Sequence, residues 1–376
     1  MVYENSQVEF DGGVTFQMAA EADIDIVEVK LNYRNANDGP WIYTYLTLEP
    51  STRVEANFTL GTSMGYIPPG SALEYFYTVR DAHNNTIQSE AQTIIYTDPR
   101  FDWQTTIVGA LSLMWHDQPL ERVEAIGDQL RISIEKVEGL LETRLKAHTR
   151  GVIYNTRDEA DQAFPSLSAT IDDRQIFHGF AFTDWNVFTG VGLNPRLITH
   201  EVAHLLLHQT VNSHQSRVPA WIDEGFSSYV EPGGSRVGST IVAGHRSTMM
   251  PLRFMGSVPG KPSDVGFFYL KAESVVGYLI ETYGDDNFRA LLEGLNKGQT
   301  VDAALLETYG FDQDGLEQSW VGSFTGQTSG GNADGSFVNI TSIILGGLVL
   351  LAVTLTLVKF LLKKLVYRTN LSDERN

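Results

Sequence analysis

Residues 194–210 constrain this chain more than any other stretch. Asn194-Pro195 reads as a helix start, with Asn as the N-cap and Pro at the first helical position. Leu197, Ile198, Val202, Leu205, Leu206 and Leu207 then spread apolar surface nearly all round, which predicts a buried helix. Yet the same helix carries His200, Glu201 and His204. Titratable groups in a buried helix need partners, and for two histidines and a glutamate a metal is the obvious one. His200-Glu201-Val202-Ala203-His204 has the form HExxH. Histidines four apart are rotated by only about 40°, so both imidazoles face one side, one turn apart. Glu201 between them can reach a metal-bound water without displacing it. Zinc with three protein ligands and an open fourth position lowers the pKa of that water to about 7. The motif therefore points to a hydrolytic metal centre.

A second helix is predicted from Pro219 to just before Pro232-Gly233-Gly234. It carries Glu224 directly before Gly225. Glycine inside a helix costs about 1 kcal/mol, so its presence predicts that another backbone passes close by. HExxH followed by Trp221-Ile222-Asp223-Glu224-Gly225-Phe226-Ser227-Ser228-Tyr229 resembles the gluzincin pattern of the peptidase MA clan. The aminopeptidase N family and the smaller bacterial peptidase MA-like domains have a similar W-L-x-E-G helix. The resemblance covers roughly residues 120–322 and implies a thermolysin-like α+β catalytic domain, mostly helical. It implies His200, His204 and Glu224 as the ligands of one Zn2+, Glu201 as general base, and peptide or protein as substrate. Glu224 stands twenty positions after His204, one more than in the aminopeptidases, which implies a one-residue difference in the connecting loop.

Other candidates for the third ligand fit less well. Asp223 is adjacent but points about 100° away on the same helix. His208 continues the spacing of four, but its direction has drifted about 80° from His200. The metzincin pattern HExxHxxGxxH needs Gly and His where this chain has Leu207 and Thr210. His214 reads as a loop histidine.

Tyr269-Leu270-Lys271-Ala272-Glu273-Ser274-Val275 resembles the Y-x-K-G-A-S-V helix of aminopeptidase N relatives, whose Tyr hydroxyl donates to the oxyanion of the tetrahedral intermediate. The resemblance makes Tyr269 a second catalytic candidate; the alternative is a packing Tyr on an amphipathic helix that also carries Val276, Leu279 and Ile280. Tyr229 is a further candidate that fits better as a packing residue. The G-A-M-E-N segment that binds a substrate's amino group in the aminopeptidases has no counterpart upstream of His200. His178 to Asp184 is the expected equivalent edge strand, where an extended peptide could pair. The choice between endopeptidase and aminopeptidase stays open.

With 376 residues the chain has room for two or three domains, and the absence of Cys excludes disulfides and zinc-thiolate sites. A net charge of -19 argues against nucleic acid or anionic membrane surfaces as partners of the soluble part. Val338 to Val358 is an uncharged run of 21 residues followed by Lys359, Lys363, Lys364 and Arg368. As a helix it is about 31 Å long, enough to span a bilayer. The basic flank puts the tail in the cytoplasm and the large N-terminal part outside, a single-pass topology at the cell membrane with an extracellular catalytic domain. Export calls for a signal peptide, which Met1 to Asn5 does not begin, so a start upstream of this sequence is expected.

Residues 1–98 read as an immunoglobulin-like or fibronectin-type β-sandwich. Val27, Val29, Leu31 and Tyr33 alternate with polar residues, as do Val54, Ala56, Phe58 and Leu60, and Leu73, Tyr75, Tyr77 and Val79. Residues 99–323 form the expected catalytic domain, 324–337 a Gly/Ser/Asn-rich linker, 338–362 the transmembrane helix and 363–376 a basic tail. Two rival functions remain: a cell-surface binding or adhesion protein with a non-catalytic metal domain, and a zinc hydrolase of non-peptide substrates. The intact Glu201 counts against the first, because a structural zinc site has no use for a base.

Overall fold

Period-two alternation at the N-terminus becomes a seven-stranded sheet organised around one long strand. Its strands are β1 (Val2–Glu9), β2 (Gly13–Asn35), β3 (Ile42–Tyr45), β4 (Ser51–Gly61), β5 (Ala72–Asp81), β6 (Thr86–Gln88) and β7 (Gln92–Ile95). The computed structural model describes residues 2–36, 39–62, 65–165, 178–233 and 249–325. The first half of β2 pairs antiparallel with β1 and β4; its second half pairs with β3 and β5, after register shifts between Glu21 and Glu28. Those irregularities bend the strand, as extra residues in a ladder do. Its two halves then face each other, with the rings of Phe16 and Tyr33 stacked at 6.4 Å and Phe16 edge-on to Tyr75 at 4.9 Å. Val14, Phe16, Met18, Val29, Leu31, Tyr75 and Tyr77 are all buried in this core. Two separate sheets were expected from the strand spacing. One hydrogen-bonded network folded over itself is found instead, because a bulged strand can run through both layers.

A five-stranded sheet follows, built from β8 (Gln104–Val108), β9 (Leu111–Trp115), β10 (Thr149–Tyr154), β11 (Gly179–Phe182) and β12 (Val187–Val191), in the order β11-β12-β10-β9-β8. β10 runs parallel to β9 and β12, while the edge strands β8 and β11 are antiparallel to their neighbours. The β8–β9 hairpin was not legible in the sequence, since two five-residue strands give a period of two little room to show. The first sheet is seated on the second. Asn35 Nδ2 donates to the Asp184 carbonyl at 2.5 Å, and Gly70 (φ +88°) lies so close that a Cβ there would come within 2.8 Å of Val152. Nearby, the fully buried Asp98 is held by Arg100 at 2.5 Å and accepts from the Tyr154 hydroxyl at 3.3 Å.

The helices are α1 (Leu120–Leu141), the single turn α2 (Arg157–Ala160), α3 (Pro195–Thr210), α4 (Ala220–Tyr229), α5 (Pro262–Tyr283), α6 (Asp285–Asn296), α7 (Val301–Tyr309) and α8 (Gln313–Thr325). One face of α1, carrying Val123, Ile126, Leu130, Ile134 and Val137, is buried, and α1 packs on α3. α4 opens without a side-chain cap. Its first N–H groups are satisfied instead by the carbonyls of Gly256 and Met255, at 3.2 and 3.1 Å. α4 and α5 pack tightly. No helix among the described residues is long and apolar enough to cross a membrane, and the run expected to do so, residues 338–362, lies outside them.

Gly225 makes the α4–α5 approach possible. A Cβ at this position would lie 2.5 Å from the Ala272 carbonyl oxygen of α5, so the predicted passing backbone is this helix. We expect Gly225→Ala to destabilise the fold by roughly 1–3 kcal/mol, the usual cost of overpacking, despite the better helix propensity of Ala. Urea unfolding of the full chain measures this, and a stability equal to or above the parent's would show that the helices can separate freely.

Candidate metal centre

α3 begins as its sequence requires: the Asn194 side chain accepts from Arg196 N at 2.9 Å and Pro195 fills the first turn. Ile198, Val202, Leu205, Leu206 and Leu207 are at most 1% exposed, which leaves His200 and His204 as the residues turned toward α4. From α4, Trp221, Ile222 and Phe226 are fully buried and fix the helix so that Glu224 meets the two imidazoles. His200 Nε2 and His204 Nε2 stand 3.1 Å apart, and Glu224 Oε2 lies 3.4 Å from the first and 3.5 Å from the second. Among the described residues these three form a group able to hold a metal ion.

The donor set can be tested against zinc. Ligands about 2.0–2.1 Å from a tetrahedral ion are separated by about 3.3–3.4 Å, close to the three edges found here. Glu224 Oε2 is buried and accepts no hydrogen bond, a costly arrangement unless a cation sits beside it. The residues present fit zinc.

Carboxylates turn the imidazoles the right way round. Glu231 Oε1 lies 2.9 Å from His200 Nδ1, and Asp223 Oδ1 lies 2.6 Å from His204 Nδ1. An ionised carboxylate only accepts, so each Nδ1 carries the proton and donates. The Nε2 of each ring is then the nitrogen left for a metal. Glu231 is itself held by Arg196, whose Nη2 and Nε donate to its second oxygen at 2.6 and 2.9 Å. The second oxygen of Asp223 accepts from His208 Nε2 at 3.0 Å. Asp223 and His208, weighed in the sequence as rival ligands, thus stand behind the Nδ1 of His204 rather than among the converging atoms. Glu231 was missed altogether. Its signal was its position seven residues after Glu224, two turns on and about 20° round.

Glu201 lies beside this cluster and is 4% exposed. Burial raises its pKa to about 7, against the pull of His200 and His204. Strand β11 runs directly over it: a Cβ on Gly179 would fall 2.4 Å from Glu201 Oε1. Tyr269, on α5, lines the same cleft of about 830 Å³, with its ring 6.5 Å from that of His200. Burial and then the Glu224 charge hold its hydroxyl well above the ordinary phenol range, so it stays a donor. Two residues on, Lys271 donates to Glu317 Oε1 at 2.5 Å and to the Met250 carbonyl at 2.7 Å, which fixes this part of α5. Tyr229 packs against α5, where a Cβ on Gly277 would approach its ring to 3.2 Å, and His214 is an exposed loop residue.

Residues 140–326 match the model of the Peptidase MA superfamily, and this stretch is a Peptidase MA superfamily domain. Clan members are typically metal-dependent, in keeping with the His-His-Glu cluster. Among solved structures, the chain is similar to an aminopeptidase N family protein from Idiomarina loihiensis, at 9% identity and a TM-score of 0.40, over 85% of this chain and 76% of that one. It is also similar to a carbohydrate-binding module family 56 β-1,3-glucan binding domain, at 16% identity and a TM-score of 0.18, over 25% of this chain and 98% of that one. No curated protein matches the chain.

The same geometry sets a pH dependence for the metal-free protein. Burial disfavours protonated His200, but the carboxylates of Glu224 and Glu231 beside the ring outweigh it and lift the pKa to about 9, above the ordinary 6.5. A group raised in the folded state stabilises below its unfolded pKa and loses that contribution as pH rises through the folded one. Chelated full chain should therefore lose thermal stability between about pH 6.5 and 9, and zinc, which replaces the protons, should abolish the loss. A melting temperature of the chelated protein that is flat across this window would show that His200 holds no extra proton.

Proposed function

We propose that this chain is a zinc-dependent metallopeptidase of gluzincin type, with His200, His204 and Glu224 as the metal ligands. The convergence of their three donor atoms, next to a buried Glu201, carries the reading. A bound zinc supplies Lewis-acid polarisation of a carbonyl and lowers the pKa of a water in its open position to about 7. Glu201 takes the proton of the attacking water and passes it to the leaving amine, a task suited to a carboxyl poised near neutrality. The Tyr269 hydroxyl donates to the oxygen on which charge develops.

Peptide as substrate is supported by strand β11. In its antiparallel pairing with β12, the His178 carbonyl accepts from Val191 N, so the alternation turns the N–H and C=O groups of Gly179 and Ala181 to the open edge. An extended peptide can pair there, over Glu201. A side chain at that glycine would crowd the Glu201 carboxyl and force it to shift.

Glu201→Gln separates base from ligand. It should bind zinc and fold like the parent yet lose most peptide hydrolysis, because an amide cannot take the proton. Tyr269→Phe should lose on the order of 10- to 1,000-fold in kcat. Parent-level hydrolysis by Glu201→Gln would sink the mechanism, and an unchanged kcat in Tyr269→Phe would return that residue to packing.

The location proposed for this activity is the outer face of a cell membrane, with residues 338–362 as anchor and 363–376 as cytoplasmic tail. Protease added to intact cells that express the chain behind a signal peptide should release an active fragment by cutting near Gly330-Gly331. Release only after lysis, with the tail accessible from outside, would mean the opposite orientation.

A further inference from the structure

His208 has no part in the chemistry above, yet its ring reaches the cluster through Asp223. The two Asp223 oxygens are divided between two imidazoles, Oδ1 at 2.6 Å from His204 Nδ1 and Oδ2 at 3.0 Å from His208 Nε2. We infer that His208 is a positioning residue of the metal centre: it anchors Asp223 and so holds the His204 imidazole in the rotation and tautomer that aim Nε2 at the metal.

Three observations carry this. His208 stands one turn beyond His204 on α3, in a stretch where Leu205, Leu206 and Leu207 are at most 1% exposed, so its backbone is fixed by the core. Asp223 sits on a different helix, immediately before Glu224, and a carboxylate donates nothing; both imidazoles must therefore donate to it. Each Asp223 oxygen faces one imidazole nitrogen, so neither histidine duplicates the contact that the other makes. Without the donor from His208, one Asp223 oxygen loses its partner and the side chain gains the freedom to turn away from His204. The ring then loses the hydrogen bond that fixes its tautomer, and the ligand its preset direction. A histidine that served only to fill space would touch none of these.

The inference rests on the zinc reading, and the experiment separates the two. Zinc affinity of the purified full chain is measured by competition with a chelator, together with the absorption spectrum of the cobalt(II)-loaded protein and the melting temperature of the metal-free form. His208→Ala should retain the site but bind zinc on the order of 10- to 100-fold more weakly, with a shifted cobalt(II) band. His208→Gln, whose amide can donate to the same Asp223 oxygen, should restore affinity and spectrum toward the parent. Asp223→Ala should weaken zinc as well, and adding His208→Ala to it should change nothing further, because both act through one hydrogen-bonded unit. A parent that binds zinc while His208→Ala matches it in affinity and spectrum overturns this inference alone. So do losses that multiply in the double variant, or a Gln variant no better than Ala. A parent that takes up no zinc overturns the metallopeptidase reading and this inference with it.

Discussion

A carboxylate oxygen buried between two imidazoles, with no hydrogen-bond donor of its own, is the constraint on which the rest of this structure turns. Such an arrangement is expensive in a protein interior, and the apolar walls of α3 and α4 make it more so. The surrounding elements do not relieve it. They tighten it, by turning each imidazole with a carboxylate on its far nitrogen and by holding one of those carboxylates with Arg196. The geometry is coherent if a dication completes it.

Close backbone approach, more than side-chain chemistry, sets the cleft around this point. Gly225 lets α4 lie against α5, and Gly179 lets β11 lie against Glu201. Each brings a functional element to within contact distance of the cluster: α5 with Tyr269 on one side, and an unpaired strand edge on the other. A side chain at Gly225 would push the two helices apart, and one at Gly179 would displace the Glu201 carboxyl. The pair of buried Lys271 and half-buried Glu317 then ties α5 to the last described helix and to the chain at Met250 and Leu252. The active face is thus braced from behind by a polar contact whose members do not line the cleft.

The sequence by itself determined the local part of this. The N-cap and Pro of α3, its all-round apolar surface, the i, i+4 histidines and the glycine after Glu224 could be read without the fold. Each depends only on helix geometry, a fixed rotation per residue. The alternation in β5 and the second half of β2 was equally legible, because one face of each is buried. The β8–β9 hairpin and the bend that carries β2 through both layers were not, since short strands and bulges leave no periodic trace. The pairing of Glu231 with His200, the sharing of Asp223 between His204 and His208, and the closeness of Gly179 to Glu201 came only from the tertiary structure. These contacts join α3 to the end of α4 or to an edge strand, and which side chains meet across elements depends on how the core packs, which no local pattern encodes.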